Sequence, residues 1–157
     1  KKVIVAIRKY QPEIIICNAP EDRHPDHGRS SKLVSDAAFL SGLRKIETLF
    51  KDQPQQVWRP KQVFHYIQDR YLKPDFVFDI SAHHDKKVEA ILCYTTQFNT
   101  TDTSEPQTYI SDPVFLETIK SRALLLGKRI GVKYAEGYIS NKMIGVSSFD
   151  AFIHEVT

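Results

Sequence analysis

Two histidines three positions apart, His24 and His27, stand in the run Asp22–Arg23–His24–Pro25–Asp26–His27, with an aspartate between them and a proline stiffening the spacing. On a helix, residues three apart share a face, and at a helix entrance their rings can converge on one point. Neutral imidazole is a zinc ligand, and a catalytic zinc takes three protein ligands while keeping one position open for water. A carboxylate such as Asp26 can orient an imidazole from behind and hold its tautomer. The same run also reads as a polar loop whose histidines face water while Asp26 caps the following helix. Spacing alone leaves both readings open. The other histidines add no second ligand group of obvious spacing. His83 and His84 open a helical pattern where adjacent side chains diverge, and they are expected to face water; His65 stands in a strand pattern and His154 lies near the end.

The elements around this run have the grammar of a parallel α/β sheet, in which ligands bind beyond the carboxyl ends of the strands. Val3, Ile4, Ile7 and Tyr10 recur at helical spacing until Pro12 ends the pattern. Ile14–Ile15–Ile16 is an unbroken β-branched run, the expectation for a strand covered on both faces. Behind the histidines, Leu33, Val34, Ala37, Ala38 and Leu40 form the stripe of a helix reaching Gly42. Leu43, Ile46, Leu49 and Phe50 prolong it or begin a second short piece, and 51–60 reads as a loop. Val63–Ile67 and Phe76–Ile80 are rich in strand formers. Ser81 is placed to cap a helix carrying Val88, Ile91, Leu92 and Thr95. The polar, Thr-rich stretch 99–112 reads as a mobile or substrate-facing loop. Pro113 and Gly127 suit the start and end of a last long helix, and 132–140 reads as a final strand interrupted by Gly137.

At 157 residues the chain can bury one domain's core. The formal charge of +3 is slight and the basic residues are scattered, which argues against a nucleic-acid partner. No stretch approaches the roughly 20 apolar residues of a membrane span, and no G-x-G-x-x-G follows a strand, which argues against a dinucleotide fold. Cys17 and Cys93 lie inside apolar patterns and read as two small buried side chains, reduced and not joined in a disulfide.

Glu21–Asp22–Arg23–His24–Pro25–Asp26–His27, followed by Ser35–Asp36–Ala37–Ala38–Phe39, resembles the second signature motif of the LmbE-like (PIG-L-type) zinc deacetylases. Further stretches agree in the same order: Trp58–Arg59–Pro60, Lys73–Pro74–Asp75–Phe76, Asp79–Ile80–Ser81, Lys87–Val88–Glu89–Ala90, Gln97–Phe98 and Tyr134–Ala135–Glu136–Gly137. The set is most similar to the bacillithiol branch, the N-acetylglucosaminyl malate deacetylases, and covers essentially the whole chain. It implies a Rossmann-like, mostly parallel sheet with helices on both faces, forming a single LmbE-like domain over 1–157. It implies hydrolysis of the N-acetyl group of an N-acetylglucosaminide, with zinc as cofactor, a cytoplasmic location, no membrane partner, and assembly as a homo-oligomer, often a hexamer. Other small N-acetyl amino sugars, and a non-catalytic binding module of the same fold, are the competing readings.

Residue by residue, the resemblance implies that His27 is the third zinc ligand. His24 is the group that polarises the carbonyl or protonates the leaving amine, and Asp26 is its partner. Arg23 reaches the substrate, for which a malate carboxylate suits the forked guanidinium. Tyr94 is the tyrosine that stabilises the oxyanion, with a core-packed aromatic as the alternative. Arg59 touches substrate or makes a surface ion pair, and Glu136 is structural. In such enzymes zinc lowers the pKa of its bound water to roughly 7. Donors meet the developing oxyanion, and a general acid protonates the departing amine. Family members begin with a strand and Ala-His-Pro-Asp-Asp, which supplies the other ligands and the base. That motif is absent here. The expectation is therefore a C-terminal two-thirds whose beginning lies upstream of Lys1, inactive by itself.

Overall fold

The computed structural model describes residues 1–98 and 108–153. In chain order the elements are α1 (Lys2–Tyr10), β1 (Ile14–Cys17), α2 (Pro25–Leu40), β2 (Leu49–Phe50), β3 (Gln53–Pro54), β4 (Gln62–Tyr66), β5 (Phe76–Asp79), α3 (His84–Leu92), α4 (Thr95–Phe98), α5 (Pro113–Ile130) and β6 (Ala135–Ser140), followed by a 3-10 turn at Phe149–Phe152. The main sheet has the order β1-β4-β6-β5, with β1 parallel to β4 and β6 antiparallel to β4. The α/β class expected from the sequence is the one found, as a mixed sheet flanked by helices. Most of the Thr-rich loop expected over 99–112, and His154, lie outside the described residues. Among the described residues no helix is long and apolar enough to cross a membrane. By their internal contacts the residues divide into two compact units, Lys1–Phe76 with Gly137–Ser147, and Val77–Glu136 with Ser148–Thr157.

In the first unit, Ile4 and Ile7 of α1 meet Ala37 and Ala38 of α2, and Ile15, Val63 and Trp58 pack against them. Burying an isoleucine of this kind contributes about 1.5–3 kcal/mol. The strand β1 departs from the expectation of cover on both faces. Ile15 and Cys17 face inward, but Ile14 is 54% and Ile16 56% exposed. Among the described residues α1 and α2 pack on one face of β1, and because its side chains alternate, Ile14 and Ile16 lie on the other. Residues 49–54, expected as helix end and loop, instead fold as the β2–β3 hairpin, turned by Lys51 and Asp52 at φ of 50° and 61°. Two consecutive positive φ values are those of a tight hairpin turn. Arg8, buried in α1, donates to the carbonyls of Ser41 (3.0 Å), Leu43 (2.9 Å) and Ile46 (2.6 Å) and to Thr48 Oγ1 (2.8 Å). It thus satisfies the chain where α2 ends, where carbonyls lack helical partners and a cation is favoured.

The second unit is centred on Ile80, Ala123 and Tyr134. Its α5 continues past Gly127 and stops at Gly131, whose φ of 78° suits a left-handed cap. Gly127 serves packing instead: a Cβ there would lie 2.7 Å from the Lys133 carbonyl oxygen. The ring of His84, which begins α3, is buried and stacked on Tyr134 at 3.7 Å between centroids, so it does not face water as the sequence suggested. Glu136 pairs with Lys87.

Candidate functional site

The parallel pairing of β1 with β4 brings the segments that follow both strands to the same end of the sheet. After β1 the chain runs from Asn18 to His24 and enters α2 at Pro25. The helix begins in the middle of the motif and not behind it. Pro25 occupies the first helical position, where its missing N–H costs nothing, and His24 is the N-cap, its Nδ1 accepting the Asp26 N–H at 3.2 Å. His27 therefore lies in the first turn of a helix, and the two rings are 5.4 Å apart between centroids.

Behind His27 stands Asp22. Its Oδ2 receives His27 Nδ1 at 2.5 Å, and its side chain is fully buried. Its Oδ1 accepts the backbone N–H groups of Asp69 (3.2 Å) and Arg70 (2.9 Å), from the segment following β4. Burial alone would push this carboxyl up. The Arg70 N–H, the His27 imidazole and the N–H groups of Arg23 and Asp69 outweigh burial and hold it below its ordinary value. The ionised Asp22 fixes the His27 proton on Nδ1 and leaves Nε2 as a lone-pair donor, the geometry of a metal-ligating histidine. Gln68 Nε2 is 3.4 Å from that nitrogen.

The remaining candidates fall as follows. Asp26 Oδ2 is 3.9 Å from His24 Nδ1, and Asp26 Oδ1 accepts from Arg29 at 3.3 Å. The carboxylate that orients an imidazole directly is thus Asp22 and not Asp26. Arg23 is tied through Nε to Asp69 at 3.3 Å, beside the same cradle. Arg59 lies in the first unit but stacks on Phe39, its guanidinium carbon 4.4 Å from the ring centroid. Tyr94 belongs to the second unit and is 64% exposed, so it is not packed in that unit's core.

Sequence reasoning missed a buried support built on His65. This β4 residue is 1% exposed, and its Nδ1 donates to the Asn18 carbonyl at 2.8 Å, with Ser31 Oγ at 2.9 Å and Cys17 Sγ at 3.3 Å. Asn141 Oδ1 is 2.6 Å from Nε2, and Asn141 Nδ2 donates to Ser35 Oγ at 2.9 Å. One ring thus joins the end of β1, the helix α2 and the end of β6. Asn18 Nδ2 continues the network to Gln68 Oε1 at 3.0 Å. Nothing in the spacing of these residues signals it, because the partners are 34 to 106 positions apart. Among the described residues, no group of three or more His, Cys, Asp and Glu is placed to hold a metal ion. His27 offers one oriented donor, and the described residues do not complete a three-ligand zinc shell.

No family model matches the chain. Three solved structures are similar to it in fold. The conserved protein TT1542 from Thermus thermophilus is 29% identical, with a TM-score of 0.77 over 93% of this chain and 60% of that one. The 4-carboxy-2-hydroxymuconate hydratase GalB from Pseudomonas putida is 18% identical, with a TM-score of 0.68 over 94% of this chain and 60% of that one. The N,N'-diacetylchitobiose deacetylase from Pyrococcus horikoshii is 22% identical, with a TM-score of 0.68 over 97% of this chain and 55% of that one. The chain spans 55–60% of the length of these structures. Its fold is one that a deacetylase and a hydratase share.

Proposed function

We propose that the protein is a metal-dependent N-deacetylase of the LmbE-like (PIG-L-type) family. Its substrate is the N-acetyl group of an N-acetylglucosaminide, foremost N-acetylglucosaminyl malate, and its metal is zinc. The observation that carries the reading is the Asp22–His27 pair, which leaves His27 Nε2 as a ligand beyond the carboxyl ends of two parallel strands. A fold held in common with a chitobiose deacetylase supports it. The remaining zinc donors belong to residues other than those described. His24 acts beside that site. With Nδ1 accepting the Asp26 N–H, neutral His24 presents an Nε2–H that can polarise an acyl oxygen. To donate a proton to a leaving amine it must first carry one on Nδ1 as well, and the Asp26 carboxylate at 3.9 Å is the acceptor at hand for it. Arg23 meets the substrate's carboxylate.

The test uses the complete encoded protein, its metal content, and acetate release from N-acetylglucosaminyl malate and from N,N'-diacetylchitobiose. About one zinc per subunit is expected, with faster release from the malate glycoside. His27→Ala loses the metal, whereas His24→Ala keeps it and loses turnover. Full metal content in His27→Ala overturns the ligand assignment. A non-catalytic module is the second reading, favoured by the incomplete donor set of the described residues, and it requires neither metal nor acetate release.

A further inference from the structure

A cavity of about 310 Å³ opens in the first unit, between the later turns of α2, the start of β4 and the segment after β6. Its volume lies at the lower end of small-ligand pockets. Neither His24 nor His27 lines it, so it is separate from the site above. Ala38, Phe39 and Val63 give it apolar wall, and Arg59, Lys61 and Lys142 give it three cations with no acidic residue among the lining. Lys61 is paired with Glu13 at 2.5 Å. Arg59 and Lys142 have no carboxylate partner among the described residues.

Arg59 is also held in place. Its guanidinium carbon lies over the Phe39 ring, and Nη2 donates to the Phe39 carbonyl at 3.1 Å. It passes directly over Gly42, where a Cβ would come within 2.4 Å of Nε. Position 42 thus admits only glycine while the guanidinium keeps this pose. A fixed fork with unneutralised charge recognises oxyanions at small entropic cost, since its own rotamers are settled before binding.

We propose that this cavity binds a small organic anion, with a phosphate or carboxylate head between Arg59 and Lys142 and an apolar ring against Phe39 and Val63. The assignment is independent of the deacetylase reading. It is tested by following backbone amide resonances while phenyl phosphate is added, with benzoate, inorganic phosphate and phenol as partial probes. Phenyl phosphate is expected to shift the amides of Phe39, Lys61 and Asn141 saturably, with a dissociation constant on the order of 1 mM. Benzoate, with one charge, binds more weakly, and the head alone or ring alone more weakly still. Tighter binding of benzoate than of phenyl phosphate would assign the head as carboxylate and leave the site standing. Lys142→Gln, at an exposed position, weakens binding about threefold and Arg59→Gln about tenfold, with the amide spectrum reporting whether each is folded. Shifts that do not saturate, shifts spread over lysines elsewhere, or undiminished binding in folded Lys142→Gln would overturn the proposal.

Discussion

Asp22→Asn tests the histidine site at a single atom. In the native side chain the two oxygens have separate tasks: Oδ1 accepts the N–H groups of Asp69 and Arg70, and Oδ2 receives His27 Nδ1. Asparagine can keep the first task only with its carbonyl oxygen at the Oδ1 position, because the opposite orientation sets its NH2 against two N–H donors. Its amide nitrogen must then face His27 Nδ1, which becomes the acceptor, and the imidazole proton moves to Nε2, the nitrogen a metal needs. The loss of one charge-assisted bond costs about 1–2 kcal/mol. Asp22→Ala instead strands two buried N–H groups at about 1–3 kcal/mol each. Against a domain stability on the order of 5–15 kcal/mol, the asparagine variant stays folded. Urea denaturation should therefore rank wild type above Asp22→Asn above Asp22→Ala. Competition with a chromogenic chelator, on the complete protein, should show zinc affinity lowered about 10–100-fold in Asp22→Asn. Unchanged zinc affinity in that variant refutes the orientation argument, whatever happens to stability. Acid gives a second measure. The folded carboxyl titrates below its ordinary value, so its contribution is complete above the unfolded pKa of about 3.9 and is lost as the pH falls through the folded value. Urea midpoints should thus fall as the pH is taken below about 4, and fall less steeply in Asp22→Asn.

Arg8→Met keeps the stem in the core but leaves the Ile46 carbonyl without its donor, while the carbonyls of Ser41 and Leu43 keep the N–H groups of Trp58 and Ile46. A loss of about 1–3 kcal/mol is expected, read as a lower urea midpoint, and a change below about 0.5 kcal/mol would remove Arg8 from its role. Burial pushes the Cys17 thiol up to about 11, whereas Cys93, read from its apolar surroundings as buried, is exposed. A thiol reagent at about pH 7–8 should therefore modify Cys93 alone until the protein is unfolded, and two fast thiols would contradict the burial of Cys17. Gly127→Ala drives a Cβ onto the Lys133 backbone carbonyl, which has little room to yield. It should cost about 1–3 kcal/mol in the same denaturation assay, and a stabilised variant would show that α5 is free to move off the segment at Lys133.

The parts of this molecule legible in its sequence are those fixed by local pattern. The stripe of Leu33, Ala37, Ala38 and Leu40 reads as helix because the core takes one side of it, and Ala37 and Ala38 are indeed buried against Ile4 and Ile7. The start of that helix was obscured by the polar run Gly28–Lys32, although Pro25 and Asp26 carried the signals of a first turn. A triple isoleucine does not say whether one face of a strand or both are covered, because the elements packed on it decide that, and so Ile14 and Ile16 depart from the reading. Asp22 illustrates the deeper limit. Its distance of five residues from His27 fits no helical or strand period, and its second oxygen is held by backbone donors 47 and 48 positions away. Those donors reach it only because β4 runs parallel to β1, which puts the exits of both strands at one end. Had β4 run the other way, the same residues would leave Asp22 without its backbone cradle and His27 without a fixed tautomer. The chemistry of the motif is thus local in residue type but topological in geometry, and His65, which ties Asn18, Ser31 and Asn141 together, is the buried side chain through which that topology is held.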